Sequence, residues 1–427
     1  MLRFTGLKME RFVINGGNKL YGKVKIRSAK NSVLPLIAAA IMNEGVTYIK
    51  NCPKIRDVLI MAKIFERLGG KFYFDEDTLV LNAKNLRSFV LPEDLTGEIR
   101  ASVFMTGALI SRFGFAEIVR PGGCNIGARP IDIHIEALKS LNVSVTESER
   151  ITFDGTKASS GTVTLRYPSV GATENAVMTA VRLKGVTVIR NCAEEPEIID
   201  LQDYLNMLGA KVSGAGGSTI TIEGTENLKR DEIEFTPRRD RIEAGTYLIC
   251  GVCTGGEIEF DGLKIEESLR LFKIIGRNAC KIYRKDDKIY NVKFYKGTSG
   301  FGKITAEPYP GFPTDLQPQI TAAACFARGL TVVEDKVFPS RFSYAEELKK
   351  MGADLRLAEN VCIVSGGKLH GAVVSANDLR GGAALSAAAL GAEGKTTVLN
   401  VSHIDRGYED FDGMLKALGA DITREIL

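Results

Sequence analysis

A sixfold internal repeat constrains the fold of this chain more than any other feature. An apolar, helix-like run closes on a glycine six times, and the closing glycines recur every 65 to 73 residues. The six runs are residues 29–45, 100–114, 172–185, 241–256, 314–329 and 379–394. A short β-branched segment such as Val46-Thr-Tyr-Ile49 follows each glycine and predicts a strand. A repeat of this period indicates that one supersecondary unit is used six times.

The rest of each unit is a polar turn, a second and amphipathic helix, and alternating residues that fit a hairpin. Each second helix ends at a glycine or, once, at an asparagine, which are C-cap signals. These positions are Gly69, Asn142, Gly209, Gly276, Gly352 and Gly419. Five copies have room for both hairpin strands, and the sixth reaches Leu427 with room for one. Each unit is therefore predicted as helix, strand, helix, strand, strand.

The chain length predicts two domains. A chain of 427 residues exceeds the size at which a single core stops growing. Helices that alternate with strands favour α/β layers, and six units favour three in each domain. Residues 229–239, which are charged and contain Pro237, are predicted to be the linker. The cleft between the two domains is then the expected ligand site.

Composition excludes several classes of protein. The net charge of +4 is small and the basic residues are dispersed, which argues against a nucleic-acid partner. The longest apolar run, residues 33–42, is shorter than the ~18 residues needed to span a bilayer, so no membrane partner is expected. Eight cysteines are too few for a disulfide scaffold and favour a reducing, cytoplasmic location.

The sequence gives no support for a metal site. Cys250 and Cys253 form the only Cys-x-x-Cys pair, but they lie in an apolar stretch with no second ligand pair nearby. Core packing is therefore the favoured interpretation of that pair. Motifs of zinc peptidases, serine hydrolases and P-loop proteins are also absent from the sequence.

One cysteine lies in an unusual glycine-rich segment. Residues 120–130 read Arg-Pro-Gly-Gly-Cys-Asn-Ile-Gly-Ala-Arg-Pro, with Cys124 among three glycines and Arg129 five positions later. Glycines adopt positive φ and leave the backbone bare, so such a run can cover a ligand and bring a thiol to it. The alternative is an ordinary surface turn with a packed cysteine.

Charged residues recur where the first helix of a unit starts or in the turn before its second helix. They are Lys30, Arg56, Arg100, Arg129, Asp315, Arg341, Arg380 and Arg406. Helix N-termini already attract anions, so added cations predict a cleft for a substrate with several negative groups. Asp315 follows the tight segment Pro310-Gly-Phe-Pro-Thr314 and is the candidate base. The alternative for Asp315 is an N-cap on a helix that starts at Leu316.

Several long motifs, in order along the chain, resemble those of the enolpyruvyl transferases. The motifs are Ser28-Ala-Lys-Asn31, Pro121-Gly-Gly-Cys-Asn-Ile-Gly-Ala-Arg-Pro-Ile-Asp132, Pro168-Ser-Val-Gly-Ala-Thr-Glu-Asn175, Glu195-Pro-Glu-Ile198, Asp240-Arg-Ile-Glu-Ala-Gly245, Pro310-Gly-Phe-Pro-Thr-Asp315, Arg341-Phe342, Asp378-Leu-Arg380 and His403-Ile-Asp-Arg-Gly-Tyr-Glu409. Within that group the chain is similar to the UDP-N-acetylglucosamine 1-carboxyvinyltransferases over nearly its whole length.

The resemblance implies an α/β fold, a two-domain inside-out α/β barrel with six βαβαββ repeats, three per domain. In that family the chain crosses between the domains twice, so the prediction of a single linker is incomplete. Carried over to this chain, one domain is 29–236 and contains Cys124. The other is 1–28 plus 237–427 and contains Asp315, Arg341, Arg380 and Arg406, with the active site in the cleft between them.

The resemblance also implies an activity. The expected reaction transfers the enolpyruvyl group of phosphoenolpyruvate to the 3′-hydroxyl of UDP-N-acetylglucosamine and releases phosphate, at the start of peptidoglycan precursor synthesis. No metal or organic cofactor is implied. A monomer or weak homo-oligomer is expected. Two alternatives stay open: another enzyme of the same fold that uses a different nucleotide or acceptor, and a duplicate that binds the nucleotide sugar without turning it over.

Residue roles come from the matched motif positions. Cys124 is the expected proton donor, with lid closure or product release as its alternative role, and Asp315 lies near the attacking hydroxyl. Phosphoenolpyruvate contacts are expected from Lys30, Asn31, Arg129, Arg380 and Arg406. Nucleotide-sugar contacts are expected from Arg100, Arg129, Pro130, Ile131, Asp132, Ile133, Ser169, Val170, Gly171, Asp315, Val337 and Arg341. Lys30 and Arg406 are also expected to stabilise charge on the departing phosphate.

Overall fold

Six inner helices form the centre of the molecule. The computed structural model describes residues 10–120, 122 and 131–426. The inner helices are Lys30–Ala39, Met105–Phe113, Val170–Ala180, Arg241–Thr254, Gln317–Ala324 and Leu379–Gly391. In Arg241–Thr254 every residue after the first is buried, which explains why these segments are apolar on all sides. Three 3-10 segments adjoin them: Ala40–Met42, Arg100–Phe104 and Thr314–Leu316.

The outer helices are amphipathic, as their sequences predict. They are Arg56–Arg67, Asp132–Lys139, Pro196–Leu208, Leu269–Ala279, Ser343–Lys350 and Phe411–Ala417. The short helix Glu93–Thr96 lies between the first and second units, and the 3-10 segment Val401–Arg406 lies within the sixth, before its outer helix. All six predicted cap positions have positive φ, including Asn142 at 60°. Gly276 differs from the other five because it breaks its helix near the end instead of following it. Within the described residues, no helix is long and apolar enough to cross a membrane.

Six small sheets surround the inner helices, and five of them share one strand order. In each of these five, the strand after the inner helix pairs in parallel with one neighbour and antiparallel with a hairpin strand. The strands, in order across each sheet, are Glu232–Phe235, Val46–Ile49, Thr78–Asn82 and Lys71–Asp75; Phe115–Ile118, Ile151–Asp154 and Ser144–Glu147; Thr162–Thr164, Val186–Arg190, Thr219–Glu223 and Lys211–Ser213; Leu20–Lys25, Gly256–Asp261, Ile289–Phe294 and Cys280–Arg284; Gly302–Ala306, Leu330–Asp335, Val361–Ser365 and Asp354–Ala358; and Val373–Ser375, Lys395–Leu399, Glu10–Asn15 and Asp421–Ile426.

The sixth sheet is completed by the start of the chain. Glu10–Asn15 pairs antiparallel with both Lys395–Leu399 and Asp421–Ile426, and so supplies the strand for which the sixth unit has no room. The next strand, Leu20–Lys25, pairs in parallel with Gly256–Asp261 of the fourth unit. The prediction that the sixth unit lacks one hairpin strand is confirmed.

The chain passes twice between the first three units and the last three. Glu232–Phe235 is a strand of the first sheet, so the predicted single linker over residues 229–239 is wrong. The two passages run side by side. The backbone N–H of Ala29 donates to the carbonyl of Arg238 at 2.8 Å, and that of Asp240 donates to the carbonyl of Arg27 at 2.9 Å.

Two separate hydrophobic cores result from this path. One extends from Val33 to Phe235, and the other combines residues 12–26 with residues 242–422. Cys250 and Cys253 are buried in the second core, which confirms their packing role. We propose that the two cores define two domains, 29–236 and 1–28 with 237–427.

Candidate active site

A cavity of about 690 Å³ lies between the two cores. Thirteen of the sequence-predicted residues line it: Lys30, Asn31, Arg100, Asp132, Ile133, Ser169, Val170, Gly171, Asp315, Val337, Arg341, Arg380 and Arg406. Ile131 is buried at the start of an outer helix and is not among the lining residues. Cys124, Arg129 and Pro130 lie outside the described residues. Arg56 pairs with Glu98 at 2.8 Å near the surface, so its predicted place in the cationic cleft is wrong.

All six inner helices begin at this cavity. The first residues of the helices, or of the 3-10 segments that lead into two of them, are lining residues: Lys30, Arg100, Val170, Arg241, Thr314 and Leu379. Each N-terminus carries the positive end of the helix dipole. Ser169, Asp240 and Asp378 cap three of these helices and accept hydrogen bonds from some of their first backbone N–H groups. Six converging N-termini therefore make this cavity strongly favourable for anions. The sixfold repeat is what places them together.

Two cations on one side of the cavity share a single carboxylate. The ammonium of Lys30 lies 2.9 Å from Oδ2 of Asp57, and Nε of Arg406 lies 2.9 Å from Oδ1. Burial opposes ionisation of Asp57, but Lys30 and Arg406 together hold its pKa below the usual range. Because Lys30 and Asp57 belong to the first core and Arg406 to the second, this cluster joins the two across the cavity. Sequence reasoning found both cations and missed Asp57.

A second carboxylate is held by two arginines. Oδ1 of Asp315 accepts from Arg341 at 2.8 Å, and Oδ2 accepts from Nε and Nη2 of Arg380 at 3.2 and 3.0 Å. Burial opposes its charge, but Arg380 and then Arg341 hold the pKa of Asp315 well below the usual range. Asp315 lies in the 3-10 segment Thr314–Leu316, and the following helix has no side-chain cap. The N-cap alternative for Asp315 is therefore wrong.

A hydrogen-bond network in the second core holds the guanidinium of Arg380 in place. Its Nη1 donates to the hydroxyl of Tyr408 at 2.9 Å, and that hydroxyl lies 2.7 Å from the hydroxyl of Thr246. Gln319 donates to the same two oxygens. The side chain of Arg380 is 2% exposed, so this polar network in the second core determines where its guanidinium points.

The opposite wall is built from the second and third units. Ser169 caps the inner helix Val170–Ala180 through the N–H of Ala172, and Asp132 forms an ion pair with Arg166. Burial opposes the negative charge of Asp132, but the hydrogen bond from Arg166 lowers the pKa of this carboxyl group. Gly171 leaves space: a Cβ there would lie 2.7 Å from Phe104 and 2.8 Å from His134. A larger residue at position 171 would therefore force Phe104 or His134 to move.

Another ion pair also joins the two cores. Nε of Arg241 lies 2.9 Å from Oε1 of Glu197, with Nη2 at 3.3 Å from Oε2, and both side chains are less than 10% exposed. The guanidinium also lies over the ring of Tyr309, 5.5 Å from its centre. Neither Arg241 nor Glu197 was singled out from the sequence as a site residue. The position of Arg241 at the start of a repeated inner helix was the available signal.

The sequence and the fold have close parallels among known proteins. A family model described as "EPSP synthase (3-phosphoshikimate 1-carboxyvinyltransferase)" matches residues 14–415. The enolpyruvyl transferase NikO from Streptomyces tendae is 26% identical, with a TM-score of 0.88 and coverage of 98% of this chain and 100% of its own. An EPSP synthase from Acinetobacter baumannii, 17% identical, has a TM-score of 0.74 over 97% of this chain and 100% of its own. The chain belongs to the EPSP synthase family, a class of carboxyvinyl transferases.

Two similar proteins show which group within the EPSP synthase family the chain belongs to. UDP-N-acetylglucosamine 1-carboxyvinyltransferase 2 of Caldanaerobacter subterraneus is 45% identical over 97% of this chain and 100% of its own length. UDP-N-acetylglucosamine 1-carboxyvinyltransferase of Halothermothrix orenii is 39% identical over 97% and 100%. Within the EPSP synthase family, the chain therefore belongs with the UDP-N-acetylglucosamine 1-carboxyvinyltransferases.

Proposed function

We propose that this protein transfers the enolpyruvyl group of phosphoenolpyruvate to the 3′-hydroxyl of UDP-N-acetylglucosamine, with release of phosphate. The observation that carries the proposal is the convergence of six inner-helix N-termini, with Lys30 and Arg406, on one cavity between the cores. Both substrates are polyanions, and a preorganised cationic cavity stabilises them and the charge that develops on the leaving phosphate. This would be the first committed step of peptidoglycan precursor synthesis.

The reaction is an addition followed by an elimination. The 3′-oxygen bonds to carbon 2 of phosphoenolpyruvate while carbon 3 gains a proton, which gives a tetrahedral intermediate. The bond between carbon 2 and the phosphate oxygen then breaks, and carbon 3 loses a proton to restore the double bond. No electrons are exchanged with another molecule, so these steps need no redox cofactor.

Lys30 and Arg406 are proposed to bind the phosphate and carboxylate groups of phosphoenolpyruvate, with Asn31, Arg129 and Arg380. In the structure, Asp57 is their partner. An incoming anion would compete with Asp57 for both cations or share them. A planar guanidinium fork suits either group because it can donate two parallel hydrogen bonds.

Asp315 is proposed to orient the attacking hydroxyl and to take its proton late. Arg380 and Arg341 make its carboxylate a weak base. A weak base is sufficient once the carbon–oxygen bond has formed, because the proton on that oxygen is then strongly acidic. Cys124 is proposed to deliver the proton to carbon 3, since a thiol with an ordinary pKa of about 8.5 is largely protonated near neutrality. Its alternative role, in lid closure or product release, stays open.

We propose that Arg100, Ile133, Ser169, Val170, Gly171 and Val337 contact the nucleotide sugar. Arg129, Pro130, Ile131, Asp132 and Arg341 complete the proposed set. Their support is that most of the described members line the same cavity. We also propose a cytoplasmic monomer or weak homo-oligomer. The described cysteines are all free thiols, which suits a reducing compartment.

Product analysis tests the activity. The purified protein is incubated with phosphoenolpyruvate and UDP-N-acetylglucosamine, and the product is isolated and examined by mass spectrometry and NMR. An enol ether on the 3′-oxygen of the sugar is expected. An ether on another oxygen, or a product only with a different nucleotide sugar, would identify another enolpyruvyl transferase. Tight binding of the nucleotide sugar with no product would identify a binding protein.

A further inference from the structure

One wall of the cavity contains polar atoms that lack partners. Both carboxyl oxygens of Glu174, Oε2 of Glu195 and the hydroxyl of Tyr167 have no hydrogen-bond partner among the described residues. All three side chains line the cavity, and Glu174 is fully buried. A buried polar atom without a partner is strongly disfavoured, so a group that supplies hydrogen bonds to this wall would bind there.

Two segments of the third unit build the wall. Glu174 lies in the second turn of the inner helix Val170–Ala180, and Tyr167 precedes that helix. Glu195 is the residue before the outer helix Pro196–Leu208. Its other oxygen is 3.5 Å from the backbone N–H of Tyr309, which comes from the second core. The unpartnered atoms therefore lie where the two cores meet.

The wall is neutral or acidic, in contrast to the rest of the cavity. Burial, followed by the nearby carboxylates of Glu197 and Glu195, raises the pKa of Glu174 well above its usual range. Burial also raises the pKa of Glu195. Arg241, the neighbouring cation, is already held by both oxygens of Glu197. In the part of this wall that the structure describes, a phosphate or carboxylate would find no unpaired positive partner, whereas hydroxyl and amide groups both donate and accept.

We propose that Tyr167, Glu174 and Glu195 form a subsite for the neutral, hydroxyl- and amide-bearing part of the acceptor substrate. This inference rests on the proposed function and extends it. The anionic groups bind at the helix N-termini and arginines, and the sugar is recognised by the carboxyl and phenol groups of this wall. Glu174 acts as a neutral carboxylic acid that donates one hydrogen bond and accepts another.

Calorimetric titration of the full-length protein with UDP-N-acetylglucosamine and with UDP alone tests the subsite. The ratio of the two affinities isolates the contribution of the sugar. Glu174→Leu removes both polar oxygens and should lower that ratio by about tenfold, with the affinity for UDP unchanged. Tyr167→Phe removes one hydroxyl and should lower it by about threefold. Glu174→Gln keeps a donor and an acceptor and should retain the ratio within about twofold.

Thr179→Val is the matched control. Thr179 is buried on the same inner helix, its hydroxyl is also unpartnered, and it does not line the cavity. Its ratio should equal that of the wild type. An unchanged ratio in both Glu174→Leu and Tyr167→Phe would overturn the subsite, and a loss in Glu174→Gln as large as in Glu174→Leu would overturn the neutral-acid assignment. If the wild type bound UDP but gained nothing from the sugar, the proposed acceptor would be wrong instead.

Discussion

Asp57 lies between Lys30 and Arg406, which belong to different cores, and its side chain is only 3% exposed. Removing one member of a buried ionic cluster leaves the others uncompensated. Asp57→Asn should lower the free energy of unfolding by about 3–5 kcal/mol. It should also lower kcat/KM for phosphoenolpyruvate, because the two cations lose their common anchor. Denaturant unfolding and steady-state kinetics measure the two effects.

The matched control for Asp57 is Asp94→Asn. Asp94 pairs with Arg67 at 2.8 Å, but both side chains are about 60% exposed. The free energy of unfolding should change by less than about 1 kcal/mol in this variant. Equal effects in the two variants would mean that the Asp57 cluster has no special role.

Arg406→Lys should not behave as a conservative change. Arg406 spans both oxygens of Asp57, through Nε at 2.9 Å and Nη2 at 3.5 Å. An ammonium cannot reproduce that fork, nor bind a carboxylate or phosphate through two parallel hydrogen bonds. We expect kcat/KM to fall at least about tenfold, close to ~1.4 kcal/mol. Arg67→Lys, at the exposed pair with Asp94, should keep wild-type kinetics. Wild-type kinetics in Arg406→Lys would remove Arg406 from the anion site.

Glu243 gives the molecule a defined pH dependence. Burial, followed by the nearby Asp240, raises its pKa from 4.5 to about 8, with Arg27 acting in the opposite direction. The folded state therefore holds a proton that the unfolded state loses near pH 4.5. The stabilising contribution is complete below that pH and is lost as the pH rises towards about 8.

Glu243→Gln should flatten this part of the stability profile. Unfolding free energies measured between pH 5 and pH 8 would decline less steeply in the variant, by up to about 1 kcal/mol per pH unit. The glutamine oxygen can still accept the Arg27 N–H that Glu243 accepts at 2.9 Å. Parallel profiles for the two proteins would show that Glu243 is ionised in the folded state.

Individual site residues were only partly predictable from the sequence. Lys30 and Arg406 were found because cations recur at equivalent positions of the repeat. Asp57 and Glu174 were missed because the local sequence of a helix does not show whether an acidic side chain contacts solvent, a cation or a cavity. What distinguishes them is burial between elements that are far apart in sequence. Asp315 had two open interpretations, and its two arginine partners are distant in sequence: Arg341 comes from later in the same unit and Arg380 from the next unit.

Among the secondary-structure elements, the strand Glu10–Asn15 offers the clearest test. Phe12 and Ile14 point into the second core and are fully buried, whereas Val13 faces the other way. Phe12→Ala should cost about 3–5 kcal/mol and speed amide exchange in both strands that flank it. Val13→Ala should have a much smaller effect. Hydrogen exchange of Lys395–Leu399 and Asp421–Ile426 gives the readout, and unchanged protection in Phe12→Ala would contradict this packing.

The elements themselves were largely predictable, and their ends were not. Inner-helix positions followed from apolar runs, but the third predicted run, residues 172–185, overshoots the observed end at Ala180. A buried helix has no polar face, so its sequence carries no period that marks where it stops. The outer helices have such a face, and their glycine or asparagine caps placed four of the six ends within two residues.

At the level of the whole molecule, the repeat predicted two groups of three units but not the path between them. The strands Leu20–Lys25 and Glu232–Phe235 each pair in parallel with a strand more than 180 residues away. The local sequence of a short strand does not predict which distant strand it pairs with. The double passage followed only from the family resemblance. The double passage matters for function because both crossings lie beside Lys30 and Arg241, the first residues of two inner helices.

Phosphate release by the unmodified protein tests the central claim most directly. Initial rates are measured with phosphoenolpyruvate alone, and then with UDP-N-acetylglucosamine or another UDP-sugar added. We predict release only when both substrates are present, fastest with UDP-N-acetylglucosamine, and with one phosphate for each enol ether formed. Release at the same rate without the nucleotide sugar, or no release from folded protein that binds both substrates, would contradict enolpyruvyl transfer in this cavity.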